Sequence, residues 1–293
     1  MEDPATGQSP ATTTPASGRP TCSACGAGAS AVMPSPGYVT VVGHATMSFP
    51  RLAVEKEFAH LLGKKDFQGL TDRQTLYTIL SETKNRYLAR KMCGQITPYG
   101  SGSSPAYILM WEEPHDLDVL IDALKRPLST TEFDVVEGRI AGMAPPALCN
   151  SQELPIIVYS QLYSFRVESF VKSIPRSQST EKIPAKDFEA AAEETFHRIM
   201  RIASNGTGPT RALTYAALTY PGLYGIVAEK YAQNASLTEI GASQSGRNPN
   251  HADVLLKFVR RDTLFSEIYR FTVNYRDSFA FLEEPLHASF EIP

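Results

Sequence analysis

From Tyr38 onward the apolar positions recur with two alternating periods, and each change of period marks a new element. YVTVVGHATMS is β-branched and roughly alternating, which predicts a strand. FPRLAVEKEFAHLLGK takes up helical spacing, with Pro50 at the start, Gly63 at the stop, and Leu52, Phe58, Leu61 and Leu62 largely on one face. TDRQTLYTILSETKNRYLARKM predicts a longer helix or a pair. Thr71 with Gln74 three residues on resembles a capping box, and Leu76, Ile79, Leu80, Tyr87 and Leu88 supply the apolar stripe. CGQIT and PAYILMWEE predict a hairpin around the turn YGSGSS. PHDLDVLIDALKR predicts a helix with Pro114 at its start and Leu117, Leu120, Ile121 and Leu124 inward. FDVVEGRIAG and PIIVYSQLYSFRV predict strands flanking the proline-rich loop APPALCNSQELP, and ESFVKSIP predicts a short helix.

The polar, twice-prolined stretch PRSQSTEKIPAKD then interrupts the pattern and predicts a lobe boundary. Beyond it, FEAAAEETFHRIMRIAS predicts an amphipathic helix with Phe188, Ala192, Phe196, Ile199 and Ile202 near one face. TRALTYAALTYPGLYGIVAEKYAQ predicts two helices broken at Pro221-Gly222. The chain closes in four strand-like segments. Val254, Leu256 and Phe258 face one way, and Ile268, Phe271, Val273 and Tyr275 belong to the partner strand with one phase slip. The expected fold is α+β and two-lobed, with mixed helices and antiparallel sheets: a first lobe over 37–175 and a second over 176–293. Residues 1–36 are mostly Pro, Ala, Ser, Thr and Gly. Such a segment buries too little surface to offset its ordering entropy, so a flexible, disordered N-terminal arm is expected.

Charge narrows the function classes. The 28 basic and 31 acidic side chains are interspersed, with no basic block of the kind that tracks phosphate, so nucleic acid is not an expected partner. No apolar run approaches the roughly 18–20 residues of a membrane span, and the N-terminus has no hydrophobic signal segment. A cytoplasmic protein with reduced thiols is expected.

The four cysteines carry the sharpest chemistry. Cys22-Ser-Ala-Cys25 lies inside the arm with a spacing that lets both thiolates reach one tetrahedral metal. Cys93 closes the NRYLARKM helix and Cys149 sits in the proline-stiffened loop. From the residues alone two readings stand: an all-thiolate zinc site clasping the arm to the first lobe, or two buried inert thiols with a mobile CxxC. A redox CxxC lacks the strand-to-helix context it needs. His44 could replace one thiolate in a mixed site. His60 and His197 fall beside apolar helix faces as structural histidines. Neither HExxH, GxSxG nor a Walker loop occurs, so no reaction type is signalled.

Several long stretches resemble one family. FPRLAVEKEFAHLLG, GLTDRQTLYTILSETKNRYLARKMC, FDVVEGRIAGMAPPALCN and LPIIVYSQLYSF are similar to the C-terminal domain shared by PatG and PatA, multidomain proteins of cyanobactin biosynthesis. AAEETFHRIMRIASN, RALTYAALTYPGLYGIVAEKYAQNASLTEI and the closing strands resemble that domain's second half. The resemblance implies a structural zinc ion held by Cys22, Cys25, Cys93 and Cys149, because its members share a Cys-containing arm, a Cys after the NRYLAR helix and a Cys in the APP loop. It departs after Cys93, where Gly94-Gln95 follow, and after Cys149, where Asn150-Ser151-Gln152 follow. No protease or oxidase domain precedes it, so a stand-alone version acting in trans is expected.

The resemblance implies an accessory, non-catalytic module of ribosomal peptide maturation. Its partner would be a precursor peptide or a maturation enzyme, with a homodimer also expected as an option. The alternative is a peptide-modifying enzyme using polar residues of the two best-matching helices: Lys56, Glu57, Asp72, Arg73, Asn85, Arg86, Tyr87 and Arg90. A plain scaffold whose metal only aids folding is the third reading.

Overall fold

The computed structural model describes residues 37–63, 69–263 and 265–289. The expected arm, with Cys22 and Cys25, lies outside the described residues. The fold is α+β, built on a closed five-stranded barrel and a four-stranded sheet.

The barrel runs in the order β1 (Tyr38–Ser48), β2 (Cys93–Pro98), β3 (Tyr107–Met110), β5 (Pro155–Arg166) and β4 (Glu132–Met143). The pattern-predicted hairpin is present as the antiparallel pair β2 and β3. β1 bridges β2 and β4, both antiparallel, and β3 joins β5 in parallel to complete the ring. That closure follows from pairings between segments far apart in the chain, which the local pattern does not encode. Gly43 makes one seam possible, because a Cβ there would run into the Thr97 carbonyl.

Alternation on β1 divides its side chains between two cores. Val39, Val41, Ala45 and Met47 join residues of all five strands and of α1 (Leu52–Leu62), α2 (Asp72–Leu80), α3 (Arg86–Ala89) and α4 (Pro114–Ala123). Val42 instead joins Phe133 and Val135 against the helices of the second half. The Thr71–Gln74 capping box is formed, with the Thr71 side chain accepting from the Gln74 backbone and Gln74 accepting from Thr71 N. Three apolar residues expected inward are exposed: Leu52, Tyr87 and Ile202. Leu52 and Ile202 are the terminal residues of their helices, where only part of a turn meets the core. Tyr87 turns outward to donate its hydroxyl to Glu57 Oε1 at 2.8 Å.

After α5 (Val167–Ser173) come α6 (Ala185–Ile202), α7 (Pro209–Thr219) and α8 (Pro221–Ala232). The α7–α8 break falls at Pro221, as the sequence predicts. These helices cover the inner face of the antiparallel sheet β6 (Ala235–Gln244), β7 (His251–Arg260), β8 (Ser266–Asn274) and β9 (Phe281–Ser289). Ala252, Val254, Leu256 and Phe258 alternate inward along β7, with Phe271 and Val273 opposite on β8. Ile268 stands in the other phase and faces the outer side, opposite Lys257. Phe188 and Phe196 of α6 are buried in this core, each worth about 1.5–3 kcal/mol relative to exposure.

Arg211 of α7 links the two sheets. It is buried, donates from Nε to Thr40 Oγ1 of β1 at 3.3 Å, and donates from its terminal nitrogens to the carbonyls of Tyr275, Asp277 and Ser278 after β8. Those bonds satisfy a guanidinium that burial alone would destabilise. Among the described residues no helix is long and apolar enough to cross a membrane.

Candidate functional site

Cys93 opens β2, opposite Ser48 of β1. Its strand phase is shared with Gln95, whose partner across the ladder is Ile108. Cys93 therefore lies on the face that carries Ile108 and Ile156. The loop between β4 and β5 covers that face. Its neck is closed by Ala144 N donating to Leu154 O at 2.9 Å, and Gln152 accepts a hydrogen bond from Gln95 Nε2. Inside the neck, Cys149 comes down on Cys93: the Cα atoms are 5.4 Å apart and the two sulfurs are joined as a disulfide. Both residues are buried, in a small apolar cluster with Ile108, Ala144 and Ile156.

The backbone that delivers Cys149 is unusual. Cys149, Asn150 and Ser151 have φ values of 52°, 57° and 62°, three consecutive left-handed residues without a glycine. Each such residue costs about 1–2 kcal/mol, and asparagine tolerates the region best. Strain of this kind persists where the surroundings over-determine it, as at clamps and ligand sites. Here the loop neck, the Gln95–Gln152 bond and the sulfur pair hold the turn in place. Beside it runs a groove of about 240 Å³, lined by Arg90, Met92, Met110, Trp111 and Leu148 together with both cysteines.

The structure thus brings two of the four expected ligands together. The other two, Cys22 and Cys25, lie outside the described residues. Among the described residues no group of three or more His, Cys, Asp or Glu could hold a metal. The pair lies in an apolar shell on a stiff turn, and its sulfurs, joined as a disulfide, would have to be reduced and part before they could serve as two of four thiolate ligands. His44 is not part of it. It pairs with Thr97, four positions along β2 from Cys93, a separation of about 13 Å at the usual strand rise.

The polar residues considered for catalysis do not converge. Glu57 accepts from Tyr87 and, at 3.3 Å, from Lys91; this exposed tie between α1 and α3 holds the Glu57 carboxyl below its ordinary range, chiefly through the tyrosine bond. Asn85 is buried and donates to Ile79 O at 2.9 Å, closing the end of α2. Arg86 pairs with Asp118 at 3.0 Å. Arg73 leaves the group entirely and is buried against Asp134 of β4. Lys56 and Asp72 are exposed, and Arg90 lines the groove beside the cysteines.

Two polar clusters escaped the sequence reading. One is Arg73–Asp134–Ser164. Its available signal was the phase of Asp134, which shares its strand face with the buried Val136. The other is an aromatic group around Phe133, with the rings of His44 at 5.2 Å, Tyr99 at 5.0 Å and His197 at 6.3 Å. The Nδ1 atoms of both histidines are buried without a partner among the described residues. Nothing in the local pattern joins β1 to α6, so this cluster is legible only in three dimensions.

A family model described as PatG Domain matches residues 38–223, and one described as PatG C-terminal matches residues 182–288. No curated protein matches the chain. A solved structure titled "PatG Domain of Unknown Function" is similar in fold, with a TM-score of 0.64 at 16% identity, over 86% of this chain and 98% of that one. With the barrel, the sheet and the paired cysteines all lying within the matched span, the chain belongs to the PatG domain family.

Proposed function

We propose that this chain is an accessory, non-catalytic module of cyanobactin-type ribosomal peptide maturation. It binds a precursor peptide or a maturation enzyme in the cytoplasm, and a structural zinc ion held by Cys22, Cys25, Cys93 and Cys149 stabilises it. One observation supports the metal reading: Cys93 and Cys149, 56 residues apart in sequence, are brought together by a left-handed turn. Family membership supports the pathway. The scattered placement of Glu57, Arg73, Asn85 and Arg86 weighs against one shared catalytic centre. Four thiolates complete the coordination of zinc, so such a centre supplies architecture and leaves no position for substrate.

The same pair supports a second reading of the sulfurs. A Cα separation of 5.4 Å suits a disulfide as well as two ligands of one metal. Metal analysis with free-thiol counting, after gentle purification without added reductant or chelator, separates them. One zinc per chain, lost in a Cys22→Ser/Cys25→Ser double variant, is the expected result. A metal-free chain with Cys93 bridged to Cys149 would replace the clasp by the disulfide. Saturable calorimetric binding of a precursor peptide without change in its mass supports the accessory role; a mass change would favour the peptide-modifying alternative.

A further inference from the structure

The four-stranded sheet has two edges, and they are treated differently. On β9, Leu282 N donates to Tyr215 Oη at 3.1 Å and Leu286 N donates to Tyr220 Oη at 3.0 Å. These amides point away from β8, so two tyrosine hydroxyls occupy the donors of that edge, and Pro285 between them offers none. On β6, Arg198 of α6 donates to the carbonyls of Leu237 and Thr238, where a register shift bulges the strand. Beyond that plug the edge is open. Ser245 N donates to His251 O, and this register makes Ser243, Gly241 and Glu239 the residues bonded to β7. The N–H and C=O groups of Ile240, Ala242 and Gln244 therefore face outward, and no described residue bonds them.

A hollow of about 260 Å³ adjoins this edge on the outer face. Gly241 leaves it empty, since nothing lies within 4 Å of where its Cβ would be. Leu255 and Ile268 floor it, and Glu239 and Lys257, directly opposed across the ladder, balance each other at its rim. We propose that β6 is a docking edge for an extended peptide. The peptide adds as a further strand along Ile240–Gln244 and sets one apolar side chain into the hollow over Gly241. The inference rests on the peptide-binding reading above and gives it a place.

The occupant follows from size and charge. Stable interfaces between folded chains take roughly 20–30 residues a side. Five edge residues fall well short of that, but they match the main-chain ladder and alternate side-chain pockets of strand addition. The open stretch Ile240–Gln244 carries no charge, and its hollow is floored by aliphatic side chains, so the ligand alternates apolar and small polar residues with its apolar side toward Leu255.

The test uses the full chain and a labelled seven-residue peptide alternating leucine with serine, read by fluorescence polarisation. Saturable binding is expected, weakened about tenfold or more by Gly241→Val, which fills the hollow without meeting a neighbour. Of two peptides N-methylated at every second residue, one in each phase, one loses binding and the other keeps it. On binding, the amides of Ile240, Ala242 and Gln244 slow in hydrogen exchange while those of Leu282 and Leu286 do not change. Absence of probe binding, or binding indifferent to Gly241→Val and to both methylated peptides, overturns the edge assignment. Protection of the three amides by self-association before peptide is added gives the edge to a second copy and also overturns it. Calorimetry with a precursor peptide is a separate measurement, so the broader reading stands or falls independently.

Discussion

Arg73 on α2 and Asp134 on β4 form a buried ion pair, with 2.5 Å between Nη2 and Oδ2. The same carboxylate accepts from Ala45 N at 2.8 Å and from Ser164 Oγ at 2.6 Å, so three elements besides its own converge on it. Removing either partner strands a charge in the interior. Arg73→Ala or Asp134→Ala is expected to cost about 3–5 kcal/mol. At about 2–4 °C per kcal/mol, that is a fall in Tm of roughly 6–20 °C. The double variant Arg73→Met/Asp134→Leu should lose less than either single variant, because no charge is left unpaired. Thermal unfolding of the three proteins decides this; a double-variant loss equal to the sum of the two single losses would show that the pair is not coupled.

His44 and His197 predict a pH dependence. Burial lowers both pKa values. Asp134 opposes the shift at His44 and Arg73 adds to it; Glu193 opposes and Arg201 adds at His197. An unfolded histidine titrates near 6.5, so on acidification the unfolded chain takes up protons before the folded one does. The stability these imidazoles contribute is complete above about pH 6.5, falls as pH drops, and levels off below their folded pKa values. Urea midpoints measured from pH 8 to pH 5 should decline across that window. The decline should flatten in a His44→Gln/His197→Gln variant, and an unchanged slope would assign it to other groups.

The order of elements was readable because periodicity, prolines and caps are local signals. Thr71–Gln74, Pro114 and Pro221 mark helix starts in the structure where the sequence placed them. Barrel closure was not readable. It depends on β3 lying parallel to β5 and on β1 joining both β2 and β4, and no alternation of apolar residues states which strand is a neighbour. Polar side chains inside the fold were missed for the same reason. Arg73 follows the helix cap Thr71 and Asp72, and reads as solvated until Asp134 is placed opposite it. Of the candidate site, Cys93 and Cys149 were singled out by scarcity and by the family resemblance, and the structure adds their contact and the left-handed turn beneath it.

That turn supports a substitution in the opposite sense to most. Ser151 holds φ at 62° and is exposed. Glycine adopts this region without a Cβ penalty, although it loses more entropy on folding. The relief of about 1–2 kcal/mol exceeds the roughly 0.5–1 kcal/mol entropic cost. Ser151→Gly is therefore expected to raise stability by about 0.5–1 kcal/mol, measured as a higher urea midpoint. A lower midpoint would mean that the serine side chain supports the turn.

The two tyrosines on β9 make the last prediction. Tyr215 and Tyr220 place hydroxyls on amides that would otherwise be free edge donors, and Tyr220 also packs its ring 5.1 Å from Phe271. Replacing both by phenylalanine keeps the rings and removes only the acceptors. The direct loss should be modest, about 1 kcal/mol per hydrogen bond. The larger effect is on association, because an edge with unpaired donors templates pairing with another chain. Tyr215→Phe/Tyr220→Phe should therefore unfold at a slightly lower temperature yet self-associate at concentrations where the parent chain does not, read by sedimentation velocity. Pro285 limits the new edge to short pairings, so moving it is the sharper control: Pro285→Val added to the double variant should deepen the association. If neither protein associates more than the parent, the hydroxyls serve packing alone, and the contrast between a capped β9 and an open β6 loses its meaning for docking.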